Sequence, residues 1–281
     1  HSIYVMGGGG PAFKSLNSTE IFDPKTDCWR PGRPMPSLRS GSVAVTHGDN
    51  IYVMGGGFKQ ADGRFRFLPT LEIYSPQQDQ WQSGPDMLQA HDYPAVAVMD
   101  GYIYVMGGHH PDASSQGPKT DPGFAFCERY HIKTAHWEAI ASLPTARFAL
   151  AALVMKQTIL CLGGVAFTPD GFNNFTVVEA YDAQQDRWRL APEFTLPWPA
   201  AGMVACEHQG KYYLAGGYSG EGIHARAVCF HQGQWHVIAS MPAARAAMGV
   251  ASLTQGVCIM GGWADDGRSP VASGYLFQPT D

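Results

Sequence analysis

The sequence predicts an all-β fold in which six copies of one four-stranded unit close into a single toroid. Three observations carry that expectation. A β-rich run ends in a glycine pair six times, at Ile3–Gly8, Ile51–Gly56, Ile103–Gly108, Ile159–Gly164, Tyr212–Gly217 and Val257–Gly262, and a motif returning at a fixed period marks a repeat architecture. A tryptophan recurs five times (Trp29, Trp81, Trp137, Trp188, Trp235), followed by Met-Pro or Leu-Pro in four copies and by Met87-Leu88 in the other. From each tryptophan to the second glycine of the next pair the spacing is 27 residues in four copies and 29 in one, whereas from that glycine to the next tryptophan it runs from 18 to 29. Nearly all the length variation therefore sits in the connection after the glycine pair, where repeat proteins gather their binding loops.

Four strands, labelled a to d from the axis outward, account for each unit. Strand a is a run rich in small residues (Gly41–Thr46, Pro94–Met99, Phe148–Met155, Gly202–Cys206, Gly249–Leu253), suited to the crowded axis. Strand b is the apolar run into the pairs Gly55-Gly56, Gly107-Gly108, Gly163-Gly164, Gly216-Gly217 and Gly261-Gly262, and glycine there permits backbone conformations that a Cβ would block. Strand c reads Glu-x-aromatic at Glu20, Glu72, Glu128 and Glu179, with the aromatic seven residues before the tryptophan that opens strand d. A tight c–d turn then places both rings in one packing layer, and the tryptophans are expected to be buried scaffold.

Length alone suggests about two domains, but six copies of one unit favour one domain over 1–281. Its blades fall at about 1–36, 37–88, 89–144, 145–197, 198–242 and 243–281. A net charge of −5 without any basic stretch excludes a generic nucleic-acid binder. The longest apolar run, Phe148–Met155, is far short of a membrane span. Six cysteines lie on different strands with no CxxC spacing, which points to a reducing, cytoplasmic or nuclear setting.

Ile-Tyr-Val-Met-Gly-Gly, Glu-Ile-Phe-Asp-Pro-Lys-Thr-Asp-Cys-Trp and Met-Pro-Ser-Leu-Arg-Ser-Gly together resemble Kelch repeats, over essentially all 281 residues. The resemblance implies a six-bladed Kelch β-propeller with four antiparallel strands per blade. The chain opens at strand b of the first blade and stops after strand c of the sixth, so the terminal blades are incomplete and 22 of 24 strands are expected. His1-Ser2 falls where an a–b turn belongs, which reads as a fragment of a longer chain.

One position per blade precedes strand a: Arg39, His91, Arg147, Ala200 and Arg245, followed by Ser40, Asp92, Phe148, Ala201 and Ala246. Both rows are expected at the mouth of the central channel beside the b–c loops, where a ring of guanidinium groups would recognise carboxylates. The loops add Phe58, Lys59, Arg64, Arg66, Phe67, His109, His110, Phe124, Asn173, Asn174 and Phe175, then Tyr218 and Trp263 after the last two glycine pairs. Aromatics beside arginines have the composition of an interaction hot spot. In Kelch adaptors the residues before strand a and after Gly-Gly contact substrate peptides. By similarity these are Arg39, Ser40, Arg147, Arg245 and Tyr218, although Ala200 and His91 depart from the pattern.

The expected function is therefore protein recognition. The resemblance extends to the Kelch-like substrate receptors of cullin-RING ubiquitin ligases, in which the propeller holds the substrate and separate BTB and BACK domains hold the cullin; here Arg39, Arg147 and Arg245 are expected to capture an acidic peptide. No cofactor is expected. His91, Asp92, His109 and His110 could converge as ligands for zinc, although loop histidines are more often solvated. Sialic acid mutarotases are also six-bladed Kelch propellers, which makes a sugar-converting enzyme or carbohydrate-binding propeller the alternative.

Overall fold

The computed structural model describes residues 2–113, 120–264 and 269–279; His1, on which the reading of the opening turn partly rests, lies outside them. Two compact units, 1–146 and 147–281, each hold three antiparallel blades. In the first unit, blade 1 is Ile3–Met6, Thr19–Asp23 and Cys28–Pro31. Blade 2 is Ser40–His47, Asn50–Lys59, Leu71–Ser75 and Gln80–Ser83, with Phe65–Phe67 paired to the far end of its long strand b. Blade 3 is Ala95–Met99, Tyr102–Met106, Cys127–His131 and His136–Ile140.

The second unit repeats the plan. Blade 4 is Ala151–Met155, Thr158–Leu162, Val178–Asp182 and Arg187–Leu190. Blade 5 is Val204–His208, Lys211–Ala215, Ala227–His231 and Gln234–Ile238, and blade 6 is Gly249–Leu253, Gly256–Met260 and Gly274–Phe277. Blade 1 thus has strands b to d, blade 6 has a to c, and every other blade has all four, as the repeats predict. Short b–c hairpins, Val165–Thr168 with Gly171–Asn174 and Tyr218–Ser219 with Gly222–Ile223, stand beyond two of the glycine pairs.

Burial explains the composition of each strand. Strand b is buried on both faces, as at Ile51–Met54, Ile103–Met106 and Ile159–Leu162, so its sequence is continuously apolar instead of alternating. Where strand a begins, one residue per blade is left-handed: Gly41, Tyr93, Ala149, Gly202 and Ala247 all have φ between 52° and 68°. In three of them the turn aims the N–H at the equivalent residue of the preceding blade. Tyr93 donates to the Gly41 carbonyl at 2.8 Å, Gly202 to Ala149 at 2.7 Å and Ala247 to Gly202 at 2.7 Å. Left-handed backbone costs a non-glycine residue about 1–2 kcal/mol, a cost that the bonds donated by Tyr93 and Ala247 help to offset.

Strands c and d carry the aromatic pairs. Ring centroids are 5.0 Å apart for Phe22–Trp29, 4.9 Å for Tyr74–Trp81, 5.0 Å for both Tyr130–Trp137 and Tyr181–Trp188, and 5.1 Å for Phe230–Trp235. Three indole N–H groups then reach back to the preceding blade, Trp81 to the Arg33 carbonyl at 2.8 Å, Trp137 to Pro85 at 2.9 Å and Trp235 to Phe194 at 2.9 Å. The rings are not equally buried, and here the structure corrects the sequence reading. Trp137 is 4% exposed, whereas Trp29 is 46% exposed and Trp81, Trp188 and Trp235 lie between. Strand d is the free edge of each sheet, so how far its tryptophan is covered depends on the neighbouring blade.

Trp137→Ala should therefore cost about 3–5 kcal/mol through cavity formation, and Trp29→Ala about 1 kcal/mol or less. Urea unfolding of the two variants separates them; equal losses would show that depth of burial is not what sets the contribution.

Candidate functional site

Each glycine pair is a turn only glycine makes cheaply. Both residues have positive φ in all six copies, 66° and 75° at Gly55 and Gly56, for example. A Cβ on Gly216 would stand 2.5 Å from the Arg245 carbonyl oxygen, so the absence of a side chain lets the next blade approach. The second glycine then donates its N–H to the residue before the next strand a: Gly8 to Arg39 at 2.8 Å, Gly56 to His91 at 2.7 Å, Gly164 to Ala200 and Gly217 to Arg245 both at 2.8 Å.

While that residue's carbonyl joins the preceding blade, its side chain turns into its own. Arg39 Nη1 donates to the Gly55 carbonyl at 3.1 Å, and Nη2 lies 2.9 Å from Glu72 Oε1. Arg147 Nη2 makes the same 2.9 Å bond to Glu179 Oε2. In blade 3 His91 Nδ1 donates to the Gly107 carbonyl at 2.6 Å, and Nε2 meets Glu128 Oε1 at 3.1 Å. Blade 6 has Tyr275 in register with the glutamates; Arg245 lies 4.2 Å over its ring and donates to the Ser273 carbonyl at 2.6 Å. Burial works against the charge on Arg39, and Glu72 supports it.

This arrangement corrects the expected guanidinium ring. Arg39 and Arg147 are 0% exposed and Arg245 is 2% exposed, and His91 and Phe148 are buried as well. These side chains brace their own blades from within where an open rim had been expected. The partners were present in the sequence as Glu-x-aromatic, and blade 5 held the clue to the pairing. There Ala200 replaces the cation and Val228 the glutamate, and both join one apolar cluster with Leu196 and Leu214.

Beyond the glycine pair the a–b pairing continues for one more step. Ser40 pairs with Gly57, Phe148 with Val165, Ala201 with Tyr218 and Ala246 with Trp263, and His109 donates its N–H to the Asp92 carbonyl at 2.8 Å. The two rows read from the sequence are thus neighbours within each blade. Ser40 is half-buried, with its Oγ 3.1 Å from Ser15 Oγ. Arg64 is exposed beside Asp62 at 3.4 Å, Phe58 pairs with Arg66 across the blade 2 hairpin, and Tyr218 and Trp263 are partly exposed.

Only the blade 3 pair is chemically rich. His109 Nδ1 donates to Asp121 Oδ2 at 2.5 Å, and its Nε2 stands 3.9 Å from Asp92 Oδ2. Asp121 also accepts the N–H groups of His110 at 3.1 Å and Gly123 at 3.0 Å. Burial opposes its charge, but these bonds prevail and hold its carboxyl below the usual range. Burial pushes Asp92 up to about 7, with His109 pulling it down and Asp121 pushing it further up. Asp121 was missed in the sequence because no spacing rule ties it to His109. Of the four residues weighed as zinc ligands, His91 turns away to Glu128 and His110 lies near Asp112. Among the described residues no three His, Cys, Asp or Glu are arranged to hold a metal.

Two expectations follow. Arg39→Ala should cost about 3–5 kcal/mol because it strands Glu72 in the interior. Adding Glu72→Val, which copies blade 5, should restore part of that loss with a coupling of about 0.5–3 kcal/mol in a urea double-mutant cycle; strict additivity would refute the pairing. Folded Asp92 keeps its proton from the ordinary aspartate value near 3.9 up to about 7, a window in which the unfolded chain has lost it. Its contribution to stability therefore falls as pH rises across that window. Asp92→Asn should flatten the decline between about pH 5 and pH 8, and an unchanged slope would assign it elsewhere.

The Kelch motif is matched over residues 1–36 and 38–88. Kelch-like protein 23 of Homo sapiens is 26% identical over 266 residues, covering 94% of this chain and 44% of the relative. Kelch-like protein 36 of Mus musculus is 31% identical over 202 residues, covering 72% and 31%. Kelch repeat and BTB domain-containing protein 12 of Danio rerio is 27% identical over 190 residues, covering 63% and 29%. The chain spans less than half the length of these relatives. The solved structure of YjhT superposes with a TM-score of 0.80 at 17% identity, covering 99% of this chain and 96% of that one. With the repeats, the blades and these likenesses in agreement, the chain is a six-bladed Kelch β-propeller.

Proposed function

We propose that this propeller is the partner-recognition module of a Kelch-like adaptor, holding a protein segment on the loops that follow its glycine pairs. The observation that carries this reading is the division of labour within each blade. Cations and glutamates with repeat-fixed positions are buried and brace their blades, and the glycine pairs join blades through backbone bonds, while the residues free to vary lie just past them. Those residues include half-exposed aromatics, Phe58 and Phe67 in the first unit and Tyr218 and Trp263 in the second. Such rings bring contact area at low entropic cost, as interaction hot spots require.

Engagement of a cullin through other domains is part of the same proposal. Its support is the similarity to longer proteins, one of them named for a BTB domain. None of the six cysteines is in a disulfide, which suits a cytoplasmic setting. Among the described residues no helix is long and apolar enough to cross a membrane.

The test is affinity capture from a cell extract with the chain and two loop variants, Phe58→Ala/Phe67→Ala and Tyr218→Ala/Trp263→Ala. A specific partner should be retained by the parent chain and lost from at least one variant whose melting temperature is unchanged. Retention by both would remove these loops from contention. The sugar-enzyme alternative predicts accelerated anomer exchange of an aldose by NMR, and the proposal predicts none.

A further inference from the structure

Blade 5 departs from the other blades at the position before strand a. In blade 2 the Arg39 guanidinium donates to the Gly55 carbonyl at 3.1 Å, and to Thr70 Oγ1 and Glu72 Oε1 at 2.9 Å each. The strand register makes Gly216, Arg226 and Val228 the blade 5 counterparts of those three residues. Glu72 pairs with Val53 and Val228 with Leu214, each two residues before a glycine pair. The Gly216 N–H meets the Arg226 carbonyl as that of Gly55 meets Thr70. Ala200 brings only a methyl group where Arg39 brings its guanidinium.

The shorter side chain leaves a cleft of about 10 Å³, whose walls include Gly216, Arg226 and Val228 together with Leu196, Trp198 and Met203. That volume admits roughly one water-sized group. Trp198 is half-buried and Arg226 exposed, so these two residues mark the mouth. Both lie at the glycine-pair end of the blade, where Ala201 pairs with Tyr218, and the cleft opens on the side of the loops. In blades 2 and 4 the corresponding place is filled by the Arg39–Glu72 and Arg147–Glu179 pairs.

The chemistry of the walls selects what can enter. Leu196, Met203 and Val228 offer hydrocarbon and a thioether, so a charged tip would lose its hydration without compensation. Arg226 does not change this, because its charge is already matched: Nη2 lies 3.1 Å from Glu221 Oε2, and the guanidinium sits 5.5 Å over the Trp198 ring. An aromatic ring is too broad for the space. The end of an aliphatic side chain is not, and Met203 has the rotamer freedom to adapt to it. We propose that the blade 5 cleft receives the aliphatic side chain of a partner segment, a leucine, isoleucine, valine or methionine. The inference rests on the reading of the loops as a recognition surface, and gives the partner an aliphatic anchor in place of the acidic one expected from the sequence.

The full chain should be panned against a phage-displayed library of random heptapeptides, and the strongest binder synthesised. Enriched sequences should share an aliphatic residue, and replacing it by alanine should weaken binding about tenfold or more. The double variant Ala200→Arg/Val228→Glu copies the blade 2 pair and fills the cleft. It should weaken the parent peptide to the same degree and leave the alanine peptide unaffected. Ala200→Leu, which fills the cleft with hydrocarbon, carries the same comparison if the double variant fails to fold. In the unmodified chain the methyl groups of the bound peptide should give NOEs to the Trp198 indole, and their absence would overturn the inference without any variant. A peptide whose affinity is unchanged by filling the cleft, or enrichment of sequences without an aliphatic residue, would overturn it while leaving the recognition module standing. So would a concentration-dependent dimer lost on filling the cleft with peptide affinity unaltered, which would assign the cleft to a second copy of the chain. The absence of any enriched sequence would count against both readings.

Discussion

The blades depend on one residue position more than on any other, the one immediately before strand a. Its carbonyl accepts the N–H of the preceding blade's second glycine, and its side chain bonds within its own blade. A single residue is thereby tied to two sheets, through backbone on one side and side chain on the other. The glycine pair is the necessary counterpart, because a Cβ at its first member would occupy the place of that carbonyl. Neither half works alone. Without the paired glycines the blades could not approach, and without the inward side chain the strand c glutamate would be buried unpaired, a condition that costs several kcal/mol.

Blade 5 shows that the ion pair is one solution among several. With Ala200 and Val228 the same positions pack as apolar residues, and the backbone bond from Gly164 to Ala200 persists at 2.8 Å. Blade 6 uses a cation over an aromatic ring. Replacing a buried pair by well-packed apolar groups is often neutral in stability, which is why the chain tolerates this variety. Losing one member alone is not neutral, and both partners have changed in blade 5. The constant feature is the backbone link, and the side chains are alternative ways of filling the interior beneath it.

The repeat geometry was legible because it is local. Gly-Gly, Glu-x-aromatic and Trp recur at short spacing, and each follows from a backbone or packing demand met within one blade. The fate of the arginines was not, because an arginine before strand a looks the same whether it faces solvent or turns inward. Its partner lies 33 residues on from Arg39 at Glu72 and 32 on from Arg147 at Glu179, across a loop of variable length. The simultaneous change at Ala200 and Val228 was the one internal signal of that pairing. Asp121 had no such signal, since its role depends on how the blade 3 loop returns to His109. The tryptophans lay between these cases: their stacking was readable from spacing, but their exposure depends on the adjoining blade.

Removing the arginines from the accessible surface changes the chemistry left at the loops. Three cations that would have made the rims basic are neutralised or enclosed inside the blades. In blade 3 the same position is His91, likewise turned inward, and the residue after it is an aspartate where the other blades have serine, phenylalanine or alanine. Scaffold demand ends at His91, and Asp92 is the first residue in that blade whose identity the repeat does not dictate. A buried carboxylate at that point has no structural bond to justify it, which distinguishes it from Glu72, Glu128 and Glu179, each of which is matched to a partner inside its blade.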